Sequence, residues 1–257
     1  MRLVSRVCSG SRSEVKGFYN PRPLDSFTRR NPFLIFPKND YLSVHFCKKK
    51  FSKNMMRLTD VVKSLIILNV ILFVVTMMMM PQISGWLIFH YPGANYDGIG
   101  FQPLQIVTHM FMHGSIMHIL FNMVMLAFLG PPLEMTWGPK RFLFFYLFAG
   151  LGSLALHVVA NYIEIQNGGA PGSVLGASGA VMGTLVGFGY NFPHQKMRLL
   201  FPPITLTAKQ LVIGYIALDL ILGLSGSGTG IAHFAHLGGA LFGFLLLQYW
   251  NKFGSRL

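Results

Sequence analysis

Of the 257 residues, 52% are hydrophobic and only 11% charged, and the mean hydropathy of +0.50 is too high for an ordinary soluble domain, so the expected solvent is a lipid bilayer. The net charge of +13 does not point to nucleic acid, because no basic stripe is interleaved with exposed aromatics, and no nucleic-acid partner is expected. Both cysteines, Cys8 and Cys47, precede the apolar body, which excludes a structural disulfide within it.

Residues 1-54 hold twelve of the 21 Lys and Arg, with Ser, Pro and no sustained apolar period, and are expected to be a disordered leader outside the packed domain at 55-257. Its start is rich in Arg and Ser and poor in acids, as in an organellar transit peptide. The other reading, an upstream-translated segment with the true start at Met55 or Met56, is preferred because those residues stand just ahead of the first apolar span.

Six segments are long enough, or nearly so, to cross a hydrocarbon core: approximately 63-80, 109-129, 140-161, 177-191, 208-224 and 231-251. The fourth is short, which is tolerable where its end is enclosed by protein or lines a water-filled cavity. Arg57 and Lys63, Lys140 and Arg141, Lys196, Arg198 and Lys209, and Lys252 and Arg256 fall at alternate ends of these spans, and the other three links carry no Lys or Arg. The positive-inside bias then puts both termini on the cytoplasmic side. The fold class predicted is an all-α membrane protein, a bundle of six transmembrane helices. The first link, Pro81 to Thr108, contains Trp86, Phe89, Tyr91 and Tyr96, and is expected to be a structured interfacial segment rather than a plain surface loop.

Gly179, Gly183 and Gly187 recur at intervals of four in span four, and Ala235, Gly239 and Gly243 do so in span six. Stripes of small residues let helix backbones approach closely. Both spans enter from the non-cytoplasmic side, so packing of the stripes would bring Ser178 and His236 together at similar depth. A serine hydroxyl needs a base to become a nucleophile, and imidazole suits that task near neutral pH. Taken alone, a membrane-helix serine usually bonds its own helix and a glycine stripe usually means packing only. The coincidence of depth with an ionisable residue inside a span favours chemistry.

In span two, His118 and Asn122 are four residues apart on one helical face and could donate hydrogen bonds to an oxyanion. His109 and His113 stand near the interface and are read as holding the first link. They raise a metal-dependent protease or transporter as an option, but no His-Glu-x-x-His motif occurs and the three histidines do not share a helical face.

The sequence resembles the rhomboid protease family through His118-Ile119-Leu120-Phe121-Asn122, Gly176-Ala177-Ser178-Gly179 and Ala235-His236-Leu237-Gly238-Gly239 with Gly243, over about residues 60-251. The resemblance implies Ser178 as nucleophile, His236 as base and then acid, and His118, Asn122 and the Ser178 amide as the oxyanion site. Glu134 matches a position that braces the structure. Two departures stand out: Met182 replaces an aromatic one turn after the nucleophile, and Leu104-Gln105-Ile106 replaces a Trp-Arg pair of the first link. The family works as a dyad. Asp219, the acid well inside a span, is weighed as an orienting third member but is not assigned that part, and His233 is read as packing beside the base.

The function implied is an intramembrane serine endopeptidase that cleaves membrane-anchored proteins in or near their transmembrane segments, with no cofactor and no metal. The alternative is a catalytically silent rhomboid-like protein that binds membrane clients. Transmembrane protein substrates and the lipid bilayer are the expected partners, and nothing in the sequence sets an oligomeric state. A bacterial inner membrane is the expected location, with an organellar inner membrane as the other option.

Overall fold

The computed structural model describes residues 57-93, 98-199, 203-225 and 230-253. The leader, Met55, Met56, both cysteines and Arg256 lie outside the described residues. Among the described residues the architecture is helical, with six long helices: α1 (Asp60–Val74), α2 (Ile116–Trp137), α3 (Pro139–Gln166), α4 (Ser178–Asn191), α5 (Ala208–Leu224) and α6 (Gly230–Phe253). Among the described residues, three segments are long and apolar enough to cross a membrane: Asp60–Met79, in which α1 runs on through a wider turn, Ile116–Trp137 and Pro139–Gln166.

The second span starts later than predicted. The apolar run from His109 is not helical throughout: His109–Phe111 forms a tight 3-10 turn, the chain extends at Met112, and α2 begins only at Ile116. Ser115 stops an upstream extension, because its hydroxyl caps the helix by accepting a bond from the His118 amide at 3.1 Å. At the other end Gly138 takes φ 84, a left-handed turn that a side chain would resist, and Pro139 opens α3 with its φ already set for a helix. Thr207 and Gln210 form a capping box that starts α5.

Four short strands modify the all-helical expectation. Phe89–His90 (β1) pairs antiparallel with Ser173–Val174 (β2), and Lys196–Arg198 (β3) pairs with Thr205–Thr207 (β4). The first pair joins the link before α2 to the segment leading into α4. The described part of the first link, which excludes Tyr96, is folded, with Phe89 buried and edge-on to Phe101 at 5.7 Å between ring centroids. Gln105, fully buried, uses its side-chain oxygen to accept from the amides of His90 and Gln102 at 3.3 and 3.1 Å, and its amide donates to the Gly85 carbonyl at 3.2 Å. Gln105 thus occupies the hub of the link, at the point where the sequence departs from the Trp-Arg pair of the family resemblance.

Helix α4 lies at the centre of the bundle, with every residue from Gly179 to Gly189 buried. Around it pack Leu126, Leu129 and Leu133 of α2 and Phe142 and Tyr146 of α3, all fully buried. Small residues make the close fits. A Cβ on Gly239 would fall inside the carbonyl group of Gly179, and one on Gly243 would lie 3.1 Å from the Gly183 Cα. The two predicted small-residue stripes are therefore in direct backbone contact. In lipid, where apolar side chains gain little by leaving their solvent, this packing is a main source of helix association. Large apolar side chains point outward instead, among them Ile71 on α1, Phe121 and Phe128 on α2, Ile221 and Leu224 on α5 and Leu245 on α6. Such a belt would be an aggregation hazard in water and suits a protein dissolved in lipid.

Glu134 supplies a brace of a defined kind. Its carboxylate accepts from the amides of Val61 and Val62 at 3.1 and 3.0 Å and from the Thr59 hydroxyl. The free amides of the α1 N-terminus are thereby satisfied by a charge on α2 that also complements the helix dipole.

Candidate active site

Ser178 is the first residue of α4 and follows Gly176, whose φ of 125 is open to glycine and strained for other residues. The turn is anchored by the Gly176 amide, which donates to the His109 carbonyl at 2.8 Å. Helix α4 has only 14 residues, about 21 Å at the α-helical rise and shorter than a hydrocarbon core.

His236 meets it from α6. The His236 Nε2 and Ser178 Oγ atoms are 2.9 Å apart. The contact between Gly179 and Gly239 lies one residue from Ser178 and three from His236, so the closest approach of the two backbones sets this distance. Both side chains remain partly accessible.

His118 lies across Gly176 from this pair: a Cβ on Gly176 would sit 2.8 Å from His118 Nε2 and 3.6 Å from Ser178 Oγ. His113 packs edge-on against His118, with ring centroids 5.0 Å apart. Asn122 is one turn along α2 and buried, and its amide donates to the His118 carbonyl at 3.0 Å. One of its two amide hydrogens is therefore engaged within the helix at rest, and the other is what it has to offer a ligand. The Ser178 amide, in the first turn of α4, has no acceptor within its own helix by position.

His109 and His113 are buried ahead of α2 rather than on it, so the argument that three histidines fail to share one helical face does not describe their arrangement. His109 hydrogen-bonds the Gln105 carbonyl through Nδ1 at 2.9 Å and holds the link, as read from sequence. Met182 is buried in the core between α2 and α4.

Asp219 and His233 are the residues whose connection sequence reasoning missed. Helix α5 buries only Ala208 and Asp219. The Asp219 carboxylate reaches α6 at two points, with Oδ1 2.7 Å from His233 Nδ1 and Oδ2 3.3 Å from His236 Nδ1. His233 and His236 are one turn apart, so an acid facing α6 at this level meets both. The available signal was the acid itself, a costly residue inside a span. Among the described residues, Asp219, His233 and His236 also form the group whose donor atoms lie close enough, within 4.8 Å of one another, to hold a metal ion.

The Rhomboid domain family matches residues 100–252. The chain belongs to the rhomboid family. Similar proteins include presenilin-associated rhomboid-like protein A, mitochondrial, of Danio rerio, 32% identical over 150 residues, covering 58% of this chain and 38% of that protein. The human presenilin-associated rhomboid-like protein, mitochondrial, is 29% identical over 212 residues, 80% of this chain and 53% of that one. RHOMBOID-like protein 1 of Arabidopsis thaliana is 30% identical over 142 residues, 55% and 33% of the two chains. This rhomboid chain therefore spans about half, or less, of the length of these relatives. The matched region contains the histidines and Asn122 of the α2 segment, Ser178, Asp219, His233 and His236.

Proposed function

We propose that this rhomboid protein is an intramembrane serine endopeptidase that cleaves membrane-anchored proteins in or near their transmembrane segments. The observation carrying the proposal is the 2.9 Å approach of His236 Nε2 to Ser178 Oγ, the separation at which an imidazole accepts a hydroxyl proton. Ser178 Oγ attacks the scissile carbonyl carbon while its proton passes to His236 Nε2, and the carbonyl electron pair moves onto oxygen. His118, Asn122 and the Ser178 amide are the donors for that oxyanion. As the intermediate collapses, the C–N bond breaks and the proton on Nε2 goes to the leaving amine. Water then repeats the sequence on the acyl-enzyme and frees Ser178.

In this reading all six long helices cross the bilayer, with Lys and Arg of the alternate links and both termini on one side and the Ser178 pocket opening toward the other. The mitochondrial names of the animal relatives support an organellar inner membrane over a bacterial one, and with it the transit-peptide reading of residues 1-54. Substrate helices must unwind locally, because their backbone groups are satisfied internally within lipid.

The test is cleavage of a transmembrane test substrate by purified protein in detergent, with Ser178→Ala, His236→Ala and Asn122→Ala alongside. The first two variants are expected to be inactive, and Asn122→Ala to lose about 100- to 1000-fold in kcat, as for loss of one oxyanion donor. Cleavage retained by Ser178→Ala or His236→Ala refutes the proposal.

A further inference from the structure

We infer that Asp219 is a positioning residue for His236, itself held in place by His233, so that this chain works with a Ser-His-Asp arrangement in which one carboxylate bridges two imidazoles. The inference rests on the Ser178-His236 reading above and goes beyond it in adding a third and a fourth member.

For Ser178 to give its proton to His236 Nε2, that nitrogen must present a lone pair, so the neutral ring carries its proton on Nδ1. Nδ1 faces Asp219 Oδ2 at 3.3 Å. Both atoms are buried, and among the described residues neither has an aligned hydrogen bond in the resting structure. Two buried polar atoms facing each other with no other partner are costly apart and satisfied together, so a small rotation of the ring closes the bond. Contacts of this kind are often loose at rest and tighten when substrate is bound.

The second oxygen decides how the acid is held. His233 Nδ1 lies 2.7 Å from Oδ1, and the bond requires its proton on that nitrogen because a carboxylate only accepts. The carboxylate is thus fixed from one side and turned toward His236 on the other. When His236 gains the serine proton it becomes a cation, and the buried Asp219 supplies the opposite charge beside it without needing to take up a proton. Asp219 is the one polar side chain that α5 buries, Ala208 being its other buried residue.

The experiment uses the full chain in detergent and compares Asp219→Asn, His233→Phe, Ser178→Ala and His236→Ala by steady-state cleavage of a transmembrane test substrate and by the rate at which a fluorophosphonate probe labels Ser178. The tautomer of His236 is read from 15N-histidine NMR of the wild type, with the resonance assigned by its loss in His236→Ala. Asp219→Asn is expected to lower kcat by about 10- to 100-fold, less than full loss of a general base, with KM unchanged and probe labelling slowed in parallel. His233→Phe is expected to give a smaller loss in the same direction, and wild-type His236 to carry its proton on Nδ1.

Wild-type turnover in Asp219→Asn, with Ser178→Ala and His236→Ala inactive, overturns the positioning role and leaves the dyad standing. A wild-type His236 protonated on Nε2 overturns it too, and that readout does not depend on whether any Asp219 variant folds. A loss in Asp219→Asn matched by unfolding, with probe labelling of the folded fraction unchanged, also overturns it. Cleavage by Ser178→Ala removes the reading on which the inference rests.

Discussion

Gly239→Ala tests whether backbone contact between α4 and α6 sets the distance between Ser178 and His236. The added methyl would meet the carbonyl oxygen, carbonyl carbon and Cα of Gly179 together, all backbone atoms and the last at 3.0 Å. No side chain can rotate aside, so relief requires the helices to part, and ordinary contact at 3.4 Å or more implies a shift of about 1 Å or greater. Overpacking of this kind costs about 1 to 3 kcal/mol. Because Gly179 adjoins Ser178, the same shift would stretch the 2.9 Å approach to His236, and a misplacement of ~1 Å can cost about 100-fold in rate. Substrate cleavage and thermal unfolding in detergent are measured beside Gly214→Ala. Gly214 is on the exposed side of α5 with nothing within 4 Å of its added Cβ, and its change should be neutral or stabilising by up to about 1 kcal/mol. Wild-type turnover and an unchanged unfolding temperature in Gly239→Ala would refute the reasoning.

Two further outcomes follow from buried polar contacts. Glu134→Ala should lower stability by about 1 to 2 kcal/mol, since the first amides of α1 lose their acceptor, with faster hydrogen exchange at Val61 and Val62 and little change in probe labelling of Ser178. Gln105→Ala should cost about 1 to 3 kcal/mol, because the Gln102 amide loses its acceptor and the His90 amide and the Gly85 carbonyl each lose one contact; exchange at those two amides should rise, and protection there equal to the wild type would count against the hub.

The proximity of Ser178 and His236 was legible because two local patterns, each a serine or histidine beside a stripe of small residues, carried their meeting point within them. Gly239 against Gly179 is that expectation realised in backbone contact. The start of α2 was misjudged because Val107 to Phe111 is apolar enough to pass for a helix. The competing signal, Ser115 after Gly114, is an N-cap whose force depends on a hydrogen bond that spacing alone does not display. Gln105 looked like a mere departure from a family pair, since its partners lie up to 20 residues back and are main-chain groups with no signature of their own. Asp219 was visible as an expensive residue, but which of two histidines it would face depends on the rotation of α5 against α6, a tertiary property. It faces both.

The enclosure of α4 has a consequence for how such a protein answers its surroundings. Every residue from Gly179 to Gly189 of the helix that carries Ser178 is buried, so in the proposed membrane setting changes in acyl-chain length or headgroup would reach Ser178 through the outer helices, above all the sparsely buried α5. The proposed reacting atoms would thus sit in a protein-made medium, on which the bilayer acts at second hand.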